Sequence, residues 1–145
     1  MQIQTKFLGE LNIDEQDIVR FPGGLMGFEE HKEFILLDIP DNPHFKILQD
    51  IHEAYIGFIV INPWNFFASY DIVIPDDELK KIEIEDKKDL VLYNIVTLGV
   101  SFTDSTANLL APVVININKR TGLQYILNNG DYTTKHPLFE AKAGV

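Results

Sequence analysis

Apolar and polar residues alternate with a period of two along most of this chain, and no other sequence feature constrains its fold as tightly. Successive side chains of a strand point to opposite faces, so this period marks strands with one buried face. Ile3, Thr5 and Phe7 alternate with Gln2, Gln4 and Lys6 as a first strand. Further strands are expected over 17–21, 34–39, 45–49, 55–61, 70–74, 89–99, 111–118 and 123–127. Turn residues separate them. Pro22-Gly23-Gly24 reads as a type II turn with the positive φ at Gly23, and Pro40-Asp41-Asn42-Pro43 reads as a loop. Asn62-Pro63-Trp64-Asn65 punctuates the middle of the chain, and Lys119-Arg120-Thr121-Gly122 joins the last two strands at hairpin length. Helix is scarce. Residues 29–33 suit a single helical turn, and 76–81 suit a short helix with acids in its first turn and lysines in its last. Nine or ten short strands with so little helix give an all-β chain, either a closed barrel or a sandwich. At 145 residues it makes one domain, expected over 1–138, with 139–145 fraying as a tail.

The composition removes whole classes of function. There is no cysteine, which excludes disulfides, thiolate metal sites and cysteine nucleophiles. No apolar run approaches the roughly 20 residues of a membrane-spanning helix. The opening residues lack the basic and apolar regions of a secretory signal, so the cytoplasm is the expected compartment. Twelve Lys and Arg against 22 Asp and Glu give a net charge of −10, which repels phosphate backbones and disfavours direct nucleic-acid binding. The charge is uneven: residues 1–111 hold 20 acids and 8 bases, whereas 112–145 hold 2 acids and 4 bases.

Each catalytic template lacks a part. His31, His44, His52 and His136 show no paired ligand spacing, so no metal site is expected. Ser69, Ser101 and Ser105 lie outside any Gly-x-Ser-x-Gly elbow. Gly23-Gly24-Leu25-Met26-Gly27 is followed by Phe28-Glu29-Glu30, whose carboxylates would repel a phosphate, so the loop is a turn and no cofactor is expected. The pairs Asp76/Asp77 and Glu83/Glu85 are flanked by lysines and read as solvated.

Two features stand out as candidate partner contacts. Residues 71–89 carry eight acids and four lysines around apolar Ile72, Ile74, Leu79, Ile82 and Ile84. Asp71, Asp76, Asp77, Glu78, Glu83, Glu85 and Asp86 could steer a basic protein toward that apolar centre. A solvated face guarding a sheet edge explains the same charges equally well. The second feature is Leu25-Met26-Gly27-Phe28, which places adaptable apolar side chains on a glycine-hinged loop; core packing is the competing explanation.

Four strings taken together resemble the FliW family of flagellar assembly factors. They are Phe21-Pro22-Gly23-Gly24-Leu25-Met26-Gly27-Phe28, Asn108-Leu109-Leu110-Ala111-Pro112-Val113-Val114-Ile115-Asn116, Gly122-Leu123-Gln124-Tyr125-Ile126-Leu127, and Tyr132 followed by His136-Pro137-Leu138. Leu123 departs from the polar residue expected there, at a position expected to face out of a strand end. The resemblance implies a small antiparallel β-barrel-like protein, monomeric when free, with no enzymatic activity. It also implies two partners: the RNA-binding translational repressor CsrA, which such proteins antagonise, and flagellin. Within the strings, Asn108 and Asn116 are expected to satisfy backbone groups in turns, and Pro112 to mark a strand start, edge or bulge. His136 is expected to be packed or hydrogen-bonded. A small-ligand-binding barrel and a hydrolase remain the alternative classes.

Overall fold

The alternation closes into a barrel. The computed structural model describes residues 1–128 and 130–139, and among these it forms eleven short strands. They are β1 (Gln2–Gln4), β2 (Glu10–Asn12), β3 (Val19–Arg20), β4 (Glu33–Asp38), β5 (Phe45–Asp50), β6 (Gly57–Ile61), β7 (Leu90–Thr97), β8 (Thr106–Ala107), β9 (Val113–Asn116), β10 (Thr121–Gln124) and β11 (His136–Pro137). A single α-helix, α1 (Asp76–Lys81), joins them among the described residues. Seven strands run in the order β7-β6-β5-β4-β3-β10-β9, and β9 returns to pair with β7 from Leu90↔Asn116 to Tyr93↔Val113. All neighbours are antiparallel except β3 and β10, which meet in parallel at Thr121↔Arg20. Closure leaves no free edge on this ring. β8 and β11 extend β7 to one side, and β1 pairs with β2 as a separate hairpin.

Side chains from six of the seven ring strands meet in one cluster, which is possible only inside the cylinder. Val19, Phe34, Leu48, Val60, Val113 and Ile115 fill it, with Val91, Tyr93 and Ile95 of β7 packed against them and Phe21 and Leu25 from the loop after β3. Phe21 and Phe34 meet edge to face at 5.6 Å and are fully buried. Each ring contributes about 1.5–3 kcal/mol by burial, with roughly 1 kcal/mol more from the aromatic pairing. The seventh strand supplies Gly122, where an added Cβ would lie 2.7 Å from Phe21 Cε1 and 2.8 Å from the Val114 carbonyl oxygen. A small barrel filled in this way is a packed core rather than a ligand cavity.

Two layers wrap the outside. Ile3 of the β1–β2 hairpin packs with Ile35 and Ile51. On the other side Phe45, Ile61, Leu92, Val96 and Val114 point out of the ring to meet Tyr70, Leu79, Ile82, Leu109, Leu127 and Leu138. Leu123 is half-buried in this layer, not directed to solvent as its sequence position suggested.

The structure corrects several expectations. Residues 70–74 form no strand, although their alternation persists: Tyr70 is buried and Val73 exposed. Residues 29–33 form no helical turn: Glu29 and Glu30 lie in a turn and Glu33 already opens β4. At Pro22-Gly23 the positive φ falls one residue later, at Gly24 (67°), whose N–H donates to the Phe21 carbonyl at 2.8 Å, so the turn is not type II. β10 begins at Thr121, inside the stretch read as a connection. β2, β8 and β11 had no counterpart among the expected strands. The tail expected to fray, 139–145, is no such case: it falls almost wholly outside the described residues, and only Phe139 is described, its ring 5.1 Å from Phe102 and 6.2 Å from Phe66. Among the described residues no helix is long and apolar enough to cross a membrane.

Candidate protein-binding surface

The strings that carry the family resemblance converge in space, where they hold the fold together. Gln124 Oε1 accepts from the Met26 N–H at 2.8 Å, and its Nε2 donates to the Ala111 carbonyl at 3.0 Å, tying three strings to one side chain. The Tyr125 N–H donates to the carbonyl of Pro112, the residue just before β9. Asn108 Oδ1 accepts from the Ala111 N–H at 3.0 Å. Tyr132 meets Tyr70 edge to face at 4.7 Å, and His136 meets the Phe67 ring at 5.1 Å. Both asparagines satisfy turn backbone, and His136 is packed, as their positions suggested.

The acidic segment is different. α1 has only six residues and its N-cap, Pro75, makes no side-chain cap, so in isolation it would be marginal. It is held by what surrounds it. Leu79 and Ile82 are buried against the barrel. The Ile84 N–H reaches back to the Leu79 carbonyl and the Glu83 N–H to that of Lys80, both at 3.0 Å. This closing pattern requires a left-handed residue, and Glu83 takes that role with φ 59°. Asn116, buried on β9, donates from Nδ2 to the carbonyls of Ile82 (2.9 Å) and Glu83 (3.2 Å). The segment is therefore pinned while its carboxylates remain outside. Asp71, Asp76, Asp77, Glu83, Glu85 and Asp86 are exposed, and Glu78 is half-buried. Glu78 pairs with Lys81 at 2.9 Å and Asp86 with Lys88 at 3.5 Å, whereas Asp76, Asp77, Glu83 and Glu85 enter no ion pair among the described residues.

Beside these acids lies a groove of about 280 Å³ lined by Trp64, Ile72, Val73, Leu79, Leu90 and Leu92, among others. Trp64 and Leu90 are not among the expected contact residues; the sequence marks them only as part of a turn and of a strand. One signal for the groove was available: Val73 is apolar at the outward position of an alternating stretch.

The loop residues separate. Leu25 is buried in the barrel core and offers no contact surface. Met26 and Phe28 are exposed at 45% and 36%. Phe28 leans on Phe58 at 5.0 Å and, with Phe7, Tyr55, Ile95 and Leu98, lines a second apolar groove of about 530 Å³. The two candidate regions thus line different grooves.

Two buried polar side chains, Asp50 and Tyr70, serve the fold. Asp50 is buried; its Oδ1 accepts from the N–H groups of His52 (2.7 Å) and Glu53 (3.1 Å), and its Oδ2 lies 2.7 Å from His31 Nδ1. Burial pushes the Tyr70 hydroxyl up to about 12, against the smaller opposing effect of its hydrogen bond with Asn94. It therefore stays protonated and donates to the Leu109 carbonyl at 2.6 Å. No cluster of three His, Asp or Glu suited to a metal occurs among the described residues.

A filled seven-stranded barrel, wrapped by loops and presenting open grooves, defines a small all-β protein whose recognisable strings are framework. The sequence profile described as FliW protein matches residues 2–138. The flagellar assembly factor FliW of Geobacillus sp. (strain WCH70) is 48% identical over 142 residues, covering 98% of both chains. That of Clostridium botulinum (strain Langeland) is 38% identical, covering 99% of this chain and all of its own. A crystal structure of a flagellar assembly factor FliW superposes with a TM-score of 0.92 at 44% identity, covering 98% of this chain and 99% of that one. This chain belongs to the FliW family.

Proposed function

We propose that this protein serves flagellar assembly as a non-enzymatic, cytoplasmic regulator that binds and antagonises a CsrA-type translational repressor. That antagonism relieves repression of flagellin translation. The protein also binds flagellin, so free flagellin withdraws the antagonist. It is monomeric when free, and it binds neither RNA nor a membrane directly. One observation carries this reading: six of the eight acids of 71–89 are exposed, most enter no ion pair among the described residues, and the segment is fixed on the barrel beside an apolar groove. A repressor that binds RNA must present positive charge. Docking a chain of net charge −10 next to that surface makes the local potential hostile to phosphate. Screening limits this to roughly 8 Å at physiological ionic strength, so the acids must sit close to the RNA path. The filled barrel interior weighs against the small-ligand-binding alternative.

The test replaces Asp76, Asp77, Glu83 and Glu85 with Asn or Gln, keeping shape and removing four charges. Association with the CsrA-type protein should slow and lose salt sensitivity, with less change in dissociation. A folded quadruple variant that binds and antagonises like the parent across a salt series removes this segment from the mechanism. Met26 and Phe28 would then be the next surface to vary.

A further inference from the structure

The acids steer, but they do not explain what holds a partner once it arrives. Tyr70 is buried and Ile72 and Ile74 are half-buried, whereas Val73 between them is 80% exposed. An isolated exposed valine needs no explanation, but this one lies on the lip of a groove floored by Leu79, Leu90 and Leu92. Trp64 forms another wall, its ring fixed by a 2.9 Å hydrogen bond from Nε1 to the Tyr70 carbonyl. At about 280 Å³ the groove is smaller than pockets that enclose drug-sized ligands, which begin near 300 Å³. It suits a side chain. Acids outnumber lysines beside its lining in the chain: Asp71 precedes Ile72, Asp76 and Asp77 follow Ile74 closely, Glu78 precedes Leu79, Asp86 precedes Lys87, the one cation in the lining, and Asp89 precedes Leu90, against Lys80 after Leu79 and Lys88 after Lys87.

The geometry points to an anchor site, in which a large apolar side chain of the partner, flanked in its own chain by Lys or Arg, seats in this groove. The rim acids receive the flanking cations. A desolvated apolar centre inside a charged rim is the arrangement in which the centre sets dissociation and the rim sets association. This inference rests on the docking role proposed above for residues 71–89, and it adds what the acids alone do not supply.

Val73→Glu separates the two, because it removes an apolar contact while adding an acid. Its dissociation rate from the CsrA-type protein is expected to rise at least about tenfold, equivalent to about 1.4 kcal/mol. Val73→Ser, which adds no charge, should shift dissociation the same way by a smaller factor. Asp76→Asn with Asp77→Asn should instead slow association. Val73 is so exposed that both of its variants should melt with the parent. If Val73→Glu binds as tightly as the parent, or more tightly, the anchor is wrong while charge-driven docking stands. If the parent does not bind at all, the docking role itself fails and the anchor with it. Two results would reassign the groove: a parent dimer that Val73→Glu dissociates, pointing to a second copy, or tighter binding by a chain ended at residue 139, pointing to the protein's own tail.

Discussion

The side-chain amide of Asn116 donates to the carbonyl oxygen of Ile82 at 2.9 Å, so a buried strand of the barrel holds the C-terminal end of α1. The same side chain accepts from the N–H groups of Asn118 (3.0 Å) and Lys119 (3.1 Å), building the β9–β10 turn. One residue therefore links the framework to the acidic surface. Asn116→Ala leaves the buried Ile82 carbonyl and three part-buried backbone groups without this partner, the buried one alone worth about 1–3 kcal/mol. The expected loss is about 3 kcal/mol in urea denaturation, with weakened partner binding through a loosened segment 76–84. A loss below about 1 kcal/mol would show that water replaces these bonds freely.

Glu83 gives the opposite sign. Its φ of 59° is one that side chains with a Cβ adopt at a cost, and glycine adopts freely. Glu83→Gly should stabilise the fold by about 0.5–1 kcal/mol, the strain relief less the extra freedom of an unfolded glycine. Glu83→Ala keeps the strain and should not stabilise. Equal melting temperatures for the two variants would refute the strain argument.

Gly24 combines a positive φ with a close approach. At φ 67° an added Cβ would lie 2.5 Å from the Glu29 Cα and carbonyl oxygen, both backbone atoms that cannot move aside cheaply. Gly24→Ala should cost about 3 kcal/mol or more through strain and displacement of the loop. Because that loop carries Met26 and Phe28, the second groove should deform as well, read as shifted amide resonances at Tyr55, Phe58 and Ile95. A variant as stable as the parent would mean the loop relaxes without strain.

How much was legible follows from the range of each interaction. α1 was read from local signals, and its bounds, Asp76–Lys81, match because acids, lysines and Pro75 act within one turn of chain. Residues 70–74 alternate like a strand yet form none. Their polar groups are taken instead by side chains and loops: the Tyr132 hydroxyl receives the Asp71 N–H at 2.9 Å, and the Tyr70 carbonyl receives the Trp64 Nε1–H. Periodicity reports which face is buried, not whether a ladder is made. β8 and β11 are two residues each, too short for any pattern, and the parallel contact at Thr121↔Arg20 spans about a hundred residues of chain. At the candidate surface, the acids were visible because charge is local. The groove was not, because Trp64 and Leu90 meet Val73 only after the barrel closes.

Tyr70 ties this surface to pH. Its hydroxyl donates to the Leu109 carbonyl at 2.6 Å and its ring packs on Tyr132, fixing the start of the segment that carries the groove and the acids. Burial raises its ionisation to about 12, above the value near 10 of an unfolded tyrosine. The folded state thus holds this proton more tightly than the unfolded chain, and the resulting stability is fully present below pH 10. It is lost as pH rises through about 12, an effect on the order of 2 kcal/mol. Tyr70→Phe should cost about 1–2 kcal/mol at pH 7 by leaving the Leu109 carbonyl unpaired. Above pH 10 its stability should then fall less steeply than the parent's. Some alkaline loss should remain, because burial also raises Tyr93. Urea denaturation at intervals from pH 7 to 12 reads both terms. Parallel curves for parent and variant over that range would show that Tyr70 does not couple its proton to folding.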